Sequence, residues 1–234
     1  MGRALVYGNP PIKVTLRRSA RARRISLRVS RLDGRVTLTL PQRTTDRAGL
    51  DFVAQKERWL RDHLADMTPP QAVCAGGTLP FEGRDVVMRT GNVRRLTLDG
   101  DTIWLPRDGV PGPRVKAFLQ TRARDALVAA SDHYAAQVGR TYSGISLRDT
   151  RSRWGSCSSR GGLMYSWRLV MAPPQVLHYV AAHEVAHLVE MNHAPAFWAV
   201  VDRLMPDFER HRIWLRDHGE SLHRIRFDTD AGDR

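Results

Sequence analysis

Apolar and polar positions alternate along the first part of the chain in the manner of β-strands. The alternation runs through residues 12–40 and is interrupted at Asp33-Gly34, a dipeptide that favours a two-residue hairpin turn. From residue 46 to residue 67 the apolar spacing becomes helical, and Thr68-Pro69-Pro70 ends that helix. The first stretch therefore predicts a hairpin followed by a helix.

The same succession recurs in the middle of the chain. Residues 79–105 alternate again and carry a second hairpin signal at Asp99-Gly100. Residues 106–113, rich in proline and glycine, form a candidate internal boundary, and residues 114–138 have helical periodicity that Gly139 closes as a C-cap. A second unit of strands and helix follows from this pattern.

A third stretch repeats the order once more. Residues 145–170 predict strands joined around residues 158–162, and Pro173-Pro174 then stands where a helix can begin. A shorter apolar face and a last helix over residues 208–218 complete the pattern. No residue-level repeat is visible, but the order of elements predicts an α+β fold.

Length and charge set the outer bounds of the interpretation. A chain of 234 residues suits one large domain or two small ones. Its net charge is +13, and the first 32 residues carry nine basic side chains and no acidic one, which is typical of contact with nucleic acid. However, only Lys13, Lys56 and Lys116 are lysines, so biased codon usage explains the arginine surplus equally well. Arginines that alternate with Ile25, Leu27 and Val29 also fit the solvent face of a strand.

Cysteine usage and hydropathy indicate a cytoplasmic protein. Cys74 and Cys157 are far apart in sequence, which fits a reducing compartment and excludes a cysteine-rich zinc knuckle. Residues 1–11 lack the apolar core of a signal peptide, and no segment is long and apolar enough for a membrane span.

The chemistry is concentrated in His183-Glu184-Val185-Ala186-His187 and in His193, six residues later. Histidines four apart share one helix face about 6 Å apart, so His183 and His187 can hold one ion. Glu184 lies about 100° round the helix, where its carboxylate can take a proton from bound water. On an unbroken helix His193 would be about 9 Å further on, so a turn is needed. Asn192 tolerates a left-handed conformation that ends a helix, and Pro195 turns Ala194 away from helical geometry.

Three neutral imidazoles leave a fourth tetrahedral position for water, which is the arrangement of a catalytic zinc site. Histidine ligands favour zinc over magnesium or calcium. The alternative is that these histidines are ordinary residues of an amphipathic helix. Glu190, three residues after His187, is a rival ligand that fits better as a group supporting the ligands or facing solvent.

The motifs between residues 151 and 219 resemble the YgjP-like metallopeptidases, a bacterial family related to the SprT-like and WLM metalloproteases of the zincin group. They are Arg-Ser-Arg-Trp-Gly-Ser-Cys, Ser-Trp-Arg-Leu-Val-Met-Ala-Pro, His-Glu-Val-Ala-His-Leu, Asn-His-Ala-Pro-Ala-Phe-Trp and Ile-Trp-Leu-Arg-Asp-His-Gly. The arginine-rich residues 17–29 also resemble the N-terminal region of that family. The resemblance implies a metallopeptidase domain over residues 12–220, divided into a β-hairpin-rich part (12–105) and a zincin-like catalytic part (114–220), with a polar tail at 221–234.

The resemblance also implies zinc ligands at His183, His187 and His193 and a catalytic base at Glu184. Metzincin proteases share the spacing of the third histidine, but they place glycine at the turn where this chain has Glu190. A gluzincin would need a downstream ligand such as Glu209 and would leave His193 without a role. Both of those assignments are therefore disfavoured.

We predict a peptidase in which zinc polarises the scissile carbonyl and Glu184 moves the proton from water to the leaving amine. Arg151, Arg153, Tyr165 and His178 are the candidate donors to the oxyanion, although helix geometry turns His178 away. Residues 163–168 are the candidate edge strand for an extended peptide substrate.

Two other functions remain open. The basic N-terminal region and the kinship with SprT-like proteins also fit a DNA-associated protease or a metal-containing nucleic-acid-binding module. A non-peptidase amidohydrolase would use the same ion and base on a different carbonyl compound.

Overall fold

The computed structural model describes residues 3–30, 34–65 and 69–228. Two compact units divide the chain, Met1–Pro70 and Gln71–Arg234. The boundary between them lies at the proline pair that ends the first predicted helix, and not at residues 106–113. A strand ends at Pro106 and a helix begins at Pro111, so residues 106–113 connect two elements of one unit.

The first unit is a four-stranded sheet followed by two helices. Its elements are β1 (Arg3–Tyr7), β2 (Ile12–Ser19), β3 (Ser26–Val29), β4 (Val36–Pro41), α1 (Asp46–Gln55) and α2 (Glu57–Ala65). The strand order is β1-β2-β4-β3, with β2 parallel to β4 and the other pairs antiparallel. Alternate side chains of β2 and β4, such as Val14 and Leu38, are buried with Val53 of α1 and Leu60 of α2.

The predicted hairpin of residues 12–40 is therefore only its second half, β3 and β4. The Ser30 amide donates to the Arg35 carbonyl, and the Gly34 amide donates to the Ser30 carbonyl. Asp33 itself lies outside the described residues. The predicted helix of residues 46–67 is confirmed as two consecutive helices separated at Lys56, and Met67 is not among the described residues.

The second unit begins with another four-stranded sheet. The elements of this part of the unit are β5 (Gln71–Ala72), β6 (Thr78–Phe81), β7 (Arg84–Gly91), β8 (Thr97–Asp99), β9 (Thr102–Pro106) and the long helix α3 (Pro111–Val138). The order β6-β7-β9-β8 forms the sheet, and the predicted hairpin at Asp99-Gly100 joins β8 to β9 with Gly100 at φ +54°. Gly139 ends α3 in the left-handed conformation predicted for it, at φ +61°.

A three-stranded sheet and three helices complete this unit. They are β10 (Gly144–Arg148), β11 (Gly155–Cys157), β12 (Gly162–Ser166), a 3-10 turn (Trp167–Met171), α4 (Pro174–Ala186), α5 (Pro195–Leu204), α6 (Phe208–Leu222) and β13 (Ile225–Arg226). The order is β10-β12-β11, with β10 parallel and β11 antiparallel to β12.

The prediction that residues 163–168 form an edge strand is wrong. β12 pairs with a strand on each side, and Arg168 already belongs to the 3-10 turn. The strand that ends this sheet beside α4 is β11. The spacing of apolar residues predicts the strands β11 and β12. Only the parallel pairing of β10 with β12 places β11 at the edge of the sheet.

One core joins all the elements of the second unit. Trp167, Tyr165 and Phe197 are fully buried within it, and α4 is buried on almost every side. The described part of the predicted polar tail also enters this core through Leu222, Ile225 and Phe227. Residues after α6 form the strand β13, which pairs with β5. Alternate side chains of a strand point to the same face, so Ile225 and Phe227 both reach the core.

The expected α+β fold is confirmed. Each of the three predicted stretches of strands is followed by helices, as the sequence pattern indicates. Within the ranges described above, no helix is both long enough and apolar enough to cross a lipid bilayer.

Candidate metal centre

The helix α4 holds two of the three histidines rigidly. It begins with Pro174 in its first turn, where a missing amide costs no hydrogen bond. Val176, Leu177, Val180 and their neighbours bury the helix in the core, so its axis is determined by packing on several sides. His183 and His187 therefore project from consecutive turns of one immobilised helix.

The chain turns back directly after α4. The helix ends at Ala186, and the amides of Leu188 and Val189 donate to the carbonyls of Val185 and Ala186. Asn192 then accepts a hydrogen bond from the Ala194 amide through its side-chain oxygen at 3.0 Å, just before α5 begins at Pro195.

The role predicted for Asn192 is corrected by this geometry. Among the described residues only Glu82 has a positive φ without being glycine, so Asn192 does not adopt the left-handed conformation. Its side chain stabilises the turn instead, as asparagine does in Asx turns. The turn brings His193 back to the other two histidines.

The three imidazoles converge on one point. One ring nitrogen from each of His183, His187 and His193 lies within 4.8 Å of the others. The Nε2 atoms of His183 and His193 are 3.1 Å apart. Two nitrogens bound to one tetrahedral zinc ion at about 2 Å are roughly 3.3 Å apart, so the observed spacing fits such an ion. Within the described ranges, neither Glu190 nor Glu209 joins this group of potential ligands.

The protonation of the rings also suits a metal. Burial, followed by the neighbouring His187 and His193, lowers the pKa of His183 to about 3. Burial likewise lowers the pKa of His187. His187 Nδ1 lies 3.0 Å from the Glu190 carbonyl oxygen, to which it donates, and this leaves Nε2 with a free lone pair. The rings of His183 and His187 are thus neutral at pH 7, as metal ligands must be.

Glu184 lies next to the ring cluster but outside it. Its side chain is 5% exposed and lines a recess of about 230 Å³ with His183. Burial raises the pKa of Glu184 to about 8, although the charge of Arg153 and a hydrogen bond from the Cys157 amide act in the opposite direction. The carboxyl group therefore has the pKa of a base that exchanges protons near neutral pH.

The edge strand β11 makes room for this carboxylate. A Cβ atom at Gly155 would lie 2.5 Å from Glu184 Oε1 and 2.6 Å from its Cγ. Glycine is the only residue that admits the observed approach of strand to helix without movement of Glu184.

Aromatic side chains of α5 form one wall of the centre. The Phe197 ring lies 4.4 Å from the His187 ring and 4.8–4.9 Å from the other two, measured between centroids. Trp198 is 5.8 Å from His183 and from His193. These contacts limit the rotation of the three imidazoles.

The four candidate oxyanion donors differ in whether they lie at the recess that contains Glu184. Arg153 lines the recess that contains Glu184. Arg151 does not line it, and the buried Tyr165 hydroxyl lies 3.0 Å from Ser131 Oγ instead. His178 Nδ1 lies 3.3 Å from the Tyr134 hydroxyl, on the side of α4 away from the centre that helix geometry predicts.

Two neighbours of the site are missed by the sequence interpretation. Tyr179 lines the recess with Glu184, and burial raises its pKa to about 12, so it is a neutral hydrogen-bond donor. Arg212 of α6 lies near enough to His183 to lower its pKa, and its guanidinium is 5.0 Å from the Trp198 ring centre. Tyr179 stands four residues before His183, so helical spacing could have indicated it. Arg212 has no such local signal.

Comparisons with known proteins bear on the class of this centre. A solved structure that matches the chain is the metallopeptidase zymogen of Pyrococcus abyssi abylysin, at 20% identity and a TM-score of 0.33, over 40% of this chain and 93% of that one. No curated protein matches the chain. The model of the YgjP-like metallopeptidase domain matches residues 23–218. Since that match covers most of the sequence, the chain belongs to the YgjP-like metallopeptidase family.

Proposed function

We propose that the protein is a zinc-dependent peptidase with His183, His187 and His193 as ligands and Glu184 as general base. A metal-dependent peptidase follows from the family. The observation that supports the finer assignment is the convergence of three imidazoles, with ring nitrogens within 4.8 Å of one another, beside a buried carboxylate. Zinc suits three nitrogen donors and a fourth open position better than the harder divalent cations do.

The metal cluster, Glu184 and the Cys157 amide have separate roles in the proposed reaction. A zinc ion at the cluster supplies a Lewis acid, and its positive charge favours the ionised form of a nearby carboxylate. Glu184 accepts the proton of the attacking water and returns it to the leaving amine. The Cys157 amide, which donates to Glu184, holds the carboxylate in position between these two steps.

The edge strand β11 is our proposed binding strand for the substrate. The Trp154 carbonyl accepts a hydrogen bond from the Ser166 amide, and the Ser158 amide donates to the Gly162 carbonyl. The even-numbered residues along this strand therefore form the backbone hydrogen bonds with β12. The backbone groups of Gly155 and Cys157 consequently point away from β12, and of these the Cys157 amide already donates to Glu184. A peptide added along this edge would be held extended beside Glu184.

Arg153 and Tyr179 are the proposed donors to the oxyanion. Both line the recess that holds Glu184 and His183, one as a cation and one as a neutral phenol. Arg153 is one of the four donors that the sequence predicts, and Tyr179 replaces the candidates that the fold turns away from the site. Removal of one such donor typically costs two to three orders of magnitude in kcat.

Elemental analysis combined with peptide digestion tests the proposal. Purified protein should contain about one equivalent of zinc, and chelation should abolish cleavage of a peptide library. Glu184→Gln should keep the metal and the melting temperature but lower kcat on the order of 10³-fold. The matched control is Glu209→Gln, an exposed glutamate on α6 that should leave metal content and turnover unchanged. Full turnover by Glu184→Gln removes Glu184 from its role, and zinc loss in Glu209→Gln restores the gluzincin alternative.

Nucleic-acid contact through the basic N-terminal region stays a prediction. Arg18 has a structural role, since it donates to the Gln42 and Thr44 carbonyls and pairs with Asp46 at 2.5 Å. DNA binding whose affinity falls steeply between low and physiological salt, measured with the full chain, would support the alternative.

A further inference from the structure

Two recesses of different chemistry each include one histidine of the cluster. The apolar recess, of about 230 Å³, is named for Trp154, Val180 and Leu215, which line it beside Arg153, His183 and Glu184. The basic recess, of about 480 Å³, is named for Arg140 and Arg160, which line it with Ser158, His187, Val189 and Met191. His183 belongs to the first and His187 to the second, so both adjoin the proposed metal ion.

The basic recess contains two arginines whose charges are not neutralised locally. Arg140 follows the C-cap of α3, and Arg160 lies in the loop that joins β11 to β12. Within the part of the chain that the structure describes, neither guanidinium has an ion-pair or hydrogen-bond partner. No aspartate or glutamate is among the residues that form this recess.

The helix ends nearby do not cancel these charges. The last carbonyls of α3 accept from the amides of Gly139 and Arg140, and those of α4 accept from residues 188–190. A helix C-terminus carries about half a negative charge and only over its last turn. Two full positive charges, and that of the metal ion beyond His187, therefore favour an anion in the basic recess.

The general base determines how a peptide must lie across the centre. Glu184 has to deliver a proton to the leaving amine, so that amine lies on the side of Glu184. Glu184 lines the apolar recess, which consequently takes the side chain that follows the scissile bond. The residues that precede the scissile bond then extend past His187 into the basic recess.

The direction of β11 agrees with this orientation. The strand runs from Gly155, beside the apolar recess, towards Ser158, beside the basic recess. A peptide whose N-terminal part occupies the basic recess runs in the opposite direction. It therefore pairs antiparallel with β11, which joins strands by hydrogen bonds perpendicular to them.

We infer that Arg140 and Arg160 form a subsite for an acidic side chain that precedes the scissile bond, in a peptide that places an apolar residue after it. This inference rests on the proposed peptidase function. A guanidinium binds a carboxylate through two parallel hydrogen bonds, and arginine suits this geometry better than lysine does. The C-terminal carboxylate of a peptide does not fit the basic recess, because the C-terminal part leaves through the apolar recess.

Three designed peptides and two double variants test the inference. One peptide carries glutamates before the scissile bond and leucine after it, the second replaces the glutamates by glutamine, and the third places the glutamates after the bond. The variant Arg140→Gln/Arg160→Gln removes the subsite. The matched control Arg94→Gln/Arg95→Gln makes the same change of charge at two exposed arginines between β7 and β8, outside both recesses.

The full-length zinc-loaded protein should prefer the first peptide over the second by on the order of tenfold in kcat/KM, mainly through KM. The subsite variant should lose that preference and the control should keep it. The preference should also shrink as the salt concentration rises, because both arginines are exposed. Cleavage of all peptides without the preference, or an equal loss in the control, overturns the subsite. Faster cleavage of the third peptide overturns the orientation.

Binding separates the subsite from the peptidase proposal. Fluorescence anisotropy of the same labelled peptides with the Glu184→Gln protein measures affinity without turnover. If no peptide is cleaved, the proposed function fails, whereas tighter binding of the glutamate peptide that depends on Arg140 and Arg160 still supports the subsite. Equal affinities for the first two peptides reject it.

Discussion

Three consecutive strands have the same arrangement in two sheets of the second unit, and only one of these sheets adjoins the histidine cluster. In the first sheet β7 lies parallel to β9, and the hairpin partner β8 forms the edge. In the second, β10 lies parallel to β12, and the hairpin partner β11 forms the edge. Two of the three residues of β8 are exposed, whereas all three of β11 are partly buried and the strand lies against α4. The site thus depends on what packs on the hairpin edge and not on strand topology.

The small residues of β11 make that packing possible. Gly155, Ser156 and Cys157 let the strand approach the helix until the Cys157 amide bonds to Glu184. The corresponding strand β8 has the sequence Thr-Leu-Asp, and Thr97 and Asp99 are exposed. Four sets of variants test what distinguishes the surroundings of the two sheets, in order of decreasing expected effect.

The largest difference should appear when one arginine is removed from the first sheet and one from the 3-10 turn that directly follows the second sheet. Arg168, 9% exposed, bonds to Asp149 at 2.6 Å and to the Leu222 and Ile225 carbonyls. Burial opposes ionisation of Asp149, but Arg168 outweighs it and holds the pKa of Asp149 below its usual value. Arg168→Met should therefore destabilise the protein by about 3 kcal/mol or more in urea denaturation, since it leaves a partly buried charge and two carbonyls unpaired.

The matched variant in the first sheet is Arg84→Met. Arg84 pairs with Asp101 at 2.6 Å, but the two side chains are 51% and 69% exposed. The loss should stay below about 1 kcal/mol. Equal losses in the two variants would show that the buried arginine does not hold the C-terminal segment in place.

The next effect concerns catalysis without loss of fold. Gly155→Ala should displace Glu184 and lower kcat/KM on the order of 10²-fold, while metal content stays the same. Gly144→Ala, in β10 of the same sheet, has no atom within 4 Å of the added Cβ and should leave activity unchanged. Steady-state kinetics with metal analysis measures both. Full activity of Gly155→Ala would mean that the strand moves away freely and does not position Glu184.

A pH-dependent effect of intermediate size should come from His223, whose ring lies 4.9 Å from that of Trp154. Burial, helped by the charge of Arg168, lowers the pKa of His223 to about 4 from 6.5. The unfolded chain therefore binds a proton at higher pH than the folded protein does. The stabilisation is complete above pH 6.5 and is lost as the pH falls towards 4, by on the order of 2 kcal/mol after screening.

His223→Phe keeps an aromatic ring beside Trp154 and removes the titration. The difference in unfolding free energy between wild type and variant should change between pH 6.5 and 4, in the direction that favours the variant at low pH. The other histidines titrate in both proteins and cancel in this difference. A difference that is constant with pH would show that His223 is not buried in its neutral form.

The smallest effect should be the same in both sheets. Gly100 in the β8–β9 hairpin has φ +54°, and Gly161 in the β11–β12 hairpin has φ +75°. Alanine at either position should cost about 1 kcal/mol, because the backbone conformation and not packing is at stake. Thermal denaturation of the two variants checks this, and a loss confined to Gly161→Ala would point to its neighbour Leu188 instead.

Features that depend on neighbouring residues were predictable. The Asp99-Gly100 hairpin and the Gly139 C-cap follow from backbone preferences of a few residues, and the structure has both. The spacing of His183 and His187 likewise needs only helix geometry. The turn before His193 was predicted for partly the wrong reason, since Asn192 acts through its side chain.

Features that depend on distant residues were not predictable. The central position of β12 arises from a parallel pairing with β10 across 18 residues, and no local pattern encodes such a register. Tyr165 was assigned to the site by proximity in sequence, but strand alternation and burial direct its hydroxyl to Ser131. Arg212 reaches His183 only through the packing of α6.

The amino-acid order alone determined the helix that carries His183 and His187, the return of His193 and the α+β succession, because each of these arises from interactions over a few residues. Tertiary structure decided which strand borders α4, which arginines line the recesses and how deeply Glu184 is buried. Those properties depend on contacts between segments far apart in the chain, whose free energies are set by packing and desolvation and not by local preference.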